Sequence, residues 1–179
     1  EEQKIIFHEY FHAVQHSHIQ TRNKDKRYKL MGLVWFVEGS AEYMAWVGLL
    51  NSGVQETGNM GGKNKFYPIG NMRWKMEGGK ITLNSVCPGI SLWDIDYGNE
   101  CTNVAYDLGA WAHAYLANKF GPNILLDTFY PNLEELGWEG AFEKAYGMSS
   151  EDFYKEFNKF LKLPLAEQLE ILPSSFKAN

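Results

Sequence analysis

His8-Glu9-Tyr10-Phe11-His12 sets two histidines four residues apart, with a glutamate directly after the first. On a helix, residues four apart project from one face, so both imidazoles can reach the same ion. Glu9 is turned away from His8 by about 100° and cannot join them as a ligand. It stands near enough to hold a water at the ion and take its proton, the arrangement of the H-E-x-x-H zinc motif. Two neutral imidazoles and a carboxylate suit Zn2+ and leave a fourth position open, as a catalytic site requires.

Outward from that pentapeptide, residues 1 to about 19 read as one helix, because Ile5, Phe7, His8, Phe11, His12, Gln15 and His16 recur at spacings of three and four. A second helix is expected over Leu33 to Leu50, where Val34, Val37, Ala41, Met44, Ala45 and Gly48 fall at helical intervals. Within it, Trp35-Phe36-Val37-Glu38-Gly39-Ser40-Ala41-Glu42-Tyr43 offers Glu38 as the third ligand. Glu42, one turn on, can accept a hydrogen bond from the outward nitrogen of a ligating histidine and so fix its tautomer. Gly39 and Ala41 leave room for this helix to approach the first. His16 and His18 are rivals for the third ligand. Successive helical turns lie about 5.4 Å apart, however, so three ligands from one straight helix do not converge on an ion.

Between these helices the run Gln20 to Lys29, with Arg22, Lys24, Lys26, Arg27 and Lys29, reads as a solvated basic loop. Asn51 to Gly62 is an irregular connection. Phe66 to Met76 and Lys80 to Val86 read as extended segments forming a hairpin around Gly78-Gly79. A segment from Cys87 to Thr102 leads into a third helix, roughly Asn103 to Phe120, stopped by Gly121-Pro122. Shorter helices are expected around Asn123 to Tyr130, Trp138 to Tyr146 and Glu151 to Lys162, the last capped by Ser149, followed by a tail helix ended by Pro173. The expected fold is mainly α with a small β element, α+β in class, in one domain over 1–179. Its parts are the zinc-binding helices (1–50), a β/loop insert (51–102) and a helical C-terminal lobe (103–179).

H-E-x-x-H followed by W-x-x-E-G-x-A-E-Y resembles the gluzincin metallopeptidases, the group that contains thermolysin and the large zinc aminopeptidases. The resemblance implies a gluzincin-type catalytic domain that binds zinc through His8, His12 and Glu38, with Glu42 supporting a ligand. It further implies a peptide or protein substrate, hydrolysed by metal-activated water with Glu9 as general base. Ala105-Tyr106-Asp107-Leu108-Gly109-Ala110 is similar to the aminopeptidases' Tyr-x-x-Gly stretch, which by position makes Tyr106 the donor to the oxyanion. Tyr146 to Phe153 resembles the helix-turn-helix end of smaller peptidase-like domains in this clan. His113, two turns after Tyr106, either lines the cleft or makes a structural hydrogen bond.

Three departures accompany the likeness. The 25 residues from 13 to 37 make a longer interval than those relatives have, and the Gly-x-Met-Glu-Asn segment that binds a free amino terminus is lacking. With seven residues before His8, the upstream sheet is also missing. Either an N-terminal segment or a partner chain completes the cleft, or the Phe66 to Val86 strands substitute for it. Glu1 is not a methionine, which gives the expectation that something upstream was removed.

Composition narrows the classes further. Of 179 residues 45% are hydrophobic and 15% aromatic, enough for an ordinary globular core. A net charge of −5 argues against a nucleic-acid surface, and no apolar run reaches the roughly 20 residues of a membrane span. Cys87 and Cys101 lack the C-x-x-C spacing of a thiolate metal site. They are either buried thiols or a disulfide, and a disulfide would place the protein outside the reducing cytosol, secreted or periplasmic. Two other functions stay open: a catalytically silent metal-binding scaffold or recognition module, and a zinc hydrolase acting on a non-peptide bond.

Overall fold

A computed structural model describes residues 2–52, 68–98 and 100–173. The first helix, α1 (Glu2–Ser17), and the apolar α3 (Val34–Ser52) fall where the 3.6-residue period puts them. Between them the basic stretch is in part helical: α2 (Lys24–Met31) replaces much of the expected loop. Asn23 caps it, its Oδ1 accepting from Lys26 N at 2.9 Å. Arg27 ties it down, donating to the carbonyls of Ile19 at 2.6 Å and His16 at 3.0 Å. The positive charge of that arginine therefore satisfies the open end of α1 rather than facing solvent alone.

The expected hairpin is overturned. Residues Pro68–Ser85 form one helix, α4, with Gly78 and Gly79 inside it, and among the described residues there is no strand. Phe66 and Tyr67 lie outside the described residues. A Gly-Gly pair weakens a helix by about 1 kcal/mol per glycine relative to Ala, which is why it reads locally as a turn. Packing reverses the preference. A Cβ on Gly79 would come within 3.0 Å of Leu108 Cγ and 3.1 Å of Asp107 Cβ, so the glycine lets α4 lie against α5 (Thr102–Phe120). Met76, Gly79 and Leu83 follow at helical spacing, with Met76 buried and Leu83 packed on the core. The mainly α expectation holds, while the small β element is not found among the described residues, which leave a gluzincin-type fold unsupported.

Cys87 and Cys101 are joined by a disulfide with Cα atoms 6.1 Å apart. The loop that it closes contains a short 3-10 turn at Leu92–Asp94. After α5, a π-helical turn (Leu125–Phe129) runs directly into α6 (Tyr130–Tyr146), which bends at Gly137, φ 73°. Gly137, with ψ 175° as well, is not helical, so two helices meet at this kink and the second begins at Trp138 as expected, while the first runs on past Tyr130. Ser149 caps α7 (Ser150–Phe160) by accepting from Asp152 N at 3.2 Å, and α8 (Leu165–Leu169) follows.

The buried side chains form one cluster drawn from all these parts of the chain. Trp35, Phe36, Phe129, Phe142 and Phe153 fill the space where α3 meets the C-terminal helices, ring against ring, with Phe36 and Phe129 centroids 4.6 Å apart. No helix of the described residues is long and apolar enough to cross a membrane.

At the centre α3 and α5 approach so closely that neither Gly39 nor Gly109 has room for a Cβ. A Cβ on Gly39 would stand 2.3 Å from Gly109 C, and one on Gly109 would stand 2.4 Å from the Trp35 carbonyl oxygen. The space left by Gly39 therefore admits α5, not α1 as the sequence suggested. This contact sets Tyr106, almost one turn before Gly109, beside the residue that precedes Gly39, which is Glu38.

Candidate metal centre

His8 and His12 project from α1 toward Glu38 on α3. The two Nε2 atoms are 3.0 Å apart, and Glu38 Oε2 lies 3.3 Å from each. These three side chains could hold a metal ion. His8 and Glu38 are buried, at 7% and 6% exposure, while His12 is partly open. Glu38 Oε2, although buried, has no hydrogen-bond partner among the described residues. A buried carboxylate oxygen left so is costly unless a cation meets it.

The outward nitrogens are held as well. His8 Nδ1 lies 3.3 Å from Glu42 Oε2, the supporting contact expected from the sequence. His12 Nδ1 lies 2.7 Å from Gln15 Oε1. Gln15 is fully buried, and its amide nitrogen donates to the Val37 carbonyl at 2.9 Å and to Ser40 Oγ at 2.8 Å. Since a carbonyl can only accept, the NH2 end must face Val37, which leaves Oε1 for His12. In their neutral forms both imidazoles therefore carry hydrogen on Nδ1 and turn bare Nε2 atoms toward Glu38. Three electron-rich atoms at this spacing need a cation or a proton between them.

Without a metal, protons take that place. Burial works against a charge on His8, but the carboxylates of Glu38 and Glu42, each 3.3 Å from one of its ring nitrogens, outweigh it and raise its pKa to about 9. His12 moves the same way, burial opposing and Glu38 and Gln15 prevailing. Glu38 and Glu42 are pushed up by burial yet held well below the usual carboxylate range by their histidine, tyrosine and lysine partners. For Glu42 those include Lys4 at 2.7 and 2.8 Å and Lys75 at 2.8 Å, and Lys75 also reaches Asp107 at 2.9 Å.

A cleft of about 440 Å3 opens beside the cluster, lined among others by Ile5, His8, Glu9, Asn103 and Tyr106. Glu9 is exposed at its wall. The Tyr106 ring stacks on His8, with centroids 5.8 Å apart and planes 12° from parallel. Burial, then the charge of Glu38 and a hydrogen bond with it, raise the Tyr106 pKa, so the phenol keeps its proton and remains a donor. A second phenol reaches Glu38 from the disulfide loop, Tyr97 donating to Oε1 at 2.5 Å.

His113 does not line this cleft. It is 3% exposed, packed against Trp35 and Phe36, with Nε2 3.1 Å from the Phe36 carbonyl. Burial, only partly offset by that carbonyl, lowers its pKa to about 3. His16 Nδ1 is 3.0 Å from the Arg27 guanidinium and His18 stacks on Tyr130, so neither rival ligand joins the cluster. Gln15, Tyr97, Lys75 and Lys4 are at the site but went unassigned in the sequence. Gln15 carried a signal, a polar residue three after His12 on the inward face. Tyr97, in irregular chain, and Lys75, in the segment read as a strand, carried none. Compared with protein-family models, curated proteins and solved structures, the chain gives no match.

Proposed function

We propose that this chain is a zinc-dependent hydrolase of peptide bonds, with His8, His12 and Glu38 as the metal ligands. The observation that carries the reading is the triangle of Nε2, Nε2 and Oε2, with edges of 3.0, 3.3 and 3.3 Å. Donors about 2.1 Å from a tetrahedral zinc stand about 3.4 Å from one another, so the three atoms already approximate one face of that tetrahedron. The orphaned Glu38 Oε2 supports the same conclusion. A zinc ion held there would supply Lewis acidity and make water acidic enough to attack at neutral pH.

The chain's own residues divide the remaining work. Glu9, at the cleft wall beside His8, takes the proton of the attacking water and returns it to the leaving amine. Tyr106, a protonated phenol facing the same space, donates to the oxygen that becomes negative as the carbonyl is attacked. Glu42 and Gln15 keep both imidazoles oriented. The likeness of the two motifs to gluzincin peptidases supports a peptide or protein substrate. The Cys87–Cys101 disulfide supports an extracytoplasmic site of action, secreted or periplasmic.

The test joins metal analysis to a peptide-library digest. The wild-type chain should bind one zinc and cleave peptides. E9Q should keep the zinc and lose about 10²- to 10⁴-fold in rate, whereas Glu38→Ala should lose the metal. Full activity in E9Q would end the general-base assignment. Stoichiometric zinc with no cleavage would favour a silent metal-binding scaffold, and cleavage confined to esters a hydrolase of non-peptide bonds.

A further inference from the structure

The carboxylate of Glu38 is gripped from a direction that neither histidine helix supplies. Its Oε2 faces the imidazoles, while Oε1 accepts the phenol of Tyr97 at 2.5 Å, within the range of a charge-assisted O–H···O⁻ hydrogen bond. A lone carboxylate can rotate about its last torsion and present either oxygen, or both, to a metal. A donor fixed on Oε1 removes that freedom and leaves Oε2 as the single ligating atom.

Such a grip works only if the donor is itself held, and Tyr97 is 50% exposed in a segment without regular structure. Its loop is held instead. Leu92 and Ile95 are buried, and the Trp93 ring stacks on Tyr154 with centroids 4.1 Å apart. Asp96 accepts from Tyr97 N at 2.7 Å through its side chain and from Thr102 Oγ at 3.1 Å through its carbonyl. Gly98 follows at φ 84°, a conformation that glycine adopts without strain. The Cys87–Cys101 disulfide, buried at both sulfurs' residues, closes the base.

We propose that Tyr97 is a positioning residue for the metal, holding Glu38 with Oε2 toward His8 and His12, and that the disulfide-closed loop is what keeps it there. This rests on the reading of His8, His12 and Glu38 as the zinc ligands. It makes metal affinity depend on the oxidation state of the Cys87–Cys101 pair, so opening the disulfide loosens the centre through one phenol.

Zinc affinity, read by competition with a chromophoric chelator, tests this without any substrate. Tyr97→Phe in the full chain should bind zinc about 10- to 100-fold more weakly than wild type, and Tyr115→Phe, which removes a phenol bonded to Glu156 on α7, should match wild type. The pair Cys87→Ala/Cys101→Ala should weaken binding in the same direction. Adding Tyr97→Phe to that pair should then cost far less than it does alone, the non-additivity of two changes acting through one contact. Wild-type affinity in Tyr97→Phe would overturn the positioning role. Fully additive losses would overturn the role of the disulfide loop. A wild-type chain that takes up no zinc would refute the metal reading itself, which is distinct because no variant would then compete with the chelator.

Discussion

Gln15 joins His12 to the backbone of the helix that carries Glu38. Its Oε1 lies 2.7 Å from His12 Nδ1 while its amide donates to the carbonyl of Val37, the residue before Glu38. One buried carboxamide thus fixes a histidine tautomer on α1 and the register of α3 beside it. Gln15→Leu keeps most of the volume and removes every polar contact. It should weaken zinc binding about 10- to 100-fold. Losing the amide's two donations, to the Val37 carbonyl and to Ser40 Oγ, should also cost about 1 kcal/mol of stability, since Ser40 Oγ still donates to that carbonyl at 3.1 Å. Chelator competition and urea unfolding measure the two effects. Unchanged zinc affinity would show that His12 needs no such support.

The crossing of α3 and α5 is tight enough to be tested with one methyl group. On Gly109 a Cβ would meet the Trp35 carbonyl oxygen at 2.4 Å and Gly39 Cα at 2.9 Å, all backbone atoms that no rotamer change can move aside. Gly109→Ala should therefore lose stability at the upper end of about 1–3 kcal/mol. It should also displace Tyr106, which stacks on His8 from the preceding turn, so turnover should fall more than zinc affinity. An alanine variant with the wild-type urea midpoint would contradict the contact.

What could be read in the sequence was local. His8, His12, Glu38 and Glu42 come together because ligand spacing and the helical period act within a few residues, and both helices keep that period in the fold. Gly78-Gly79 misled for the opposite reason. The pair is a turn signal by its own conformational freedom, and only the side of α5, 28 residues further along from Gly79 at Asp107, makes it a helix. The basic run at 20–29 reads as solvated, and Arg22, Lys24, Lys26 and Lys29 are exposed; Arg27 finds its partners, the carbonyls of His16 and Ile19, by a fold-back that charge counting does not show. Tyr97 meets Glu38 across 59 positions, and no pattern in the irregular loop around it points there. His113 had two possible fates on one helix face, and the depth of the aromatic core settled which.

That same histidine gives the chain an acid-sensitive core. His113 is buried with its ring between Trp35 and Phe36, and burial lowers its pKa to about 3, the Phe36 carbonyl pulling only weakly the other way. In the unfolded chain it titrates near 6.5. Below that pH the unfolded state takes up a proton that the native state refuses. The stability is therefore fully present above pH 6.5 and is lost as pH falls toward about 3. The other groups separate by sign and window. His8, raised to about 9, adds stability that is complete once the pH has dropped to about 6.5, and the depressed Glu38 and Glu42 lose theirs only below the ordinary carboxylate value of 4.5. His16, also lowered, is common to both proteins in the comparison and cancels. His113→Gln removes the titration and keeps an amide able to donate to Phe36. From pH 6.5 to 4.5 the metal-free wild-type chain should lose about 2 kcal/mol more than this variant, read by urea unfolding in the presence of a chelator. Parallel pH profiles for the two proteins would mean that His113 is already protonated in the native core, and that the 3.1 Å contact with the Phe36 carbonyl is made by an imidazolium.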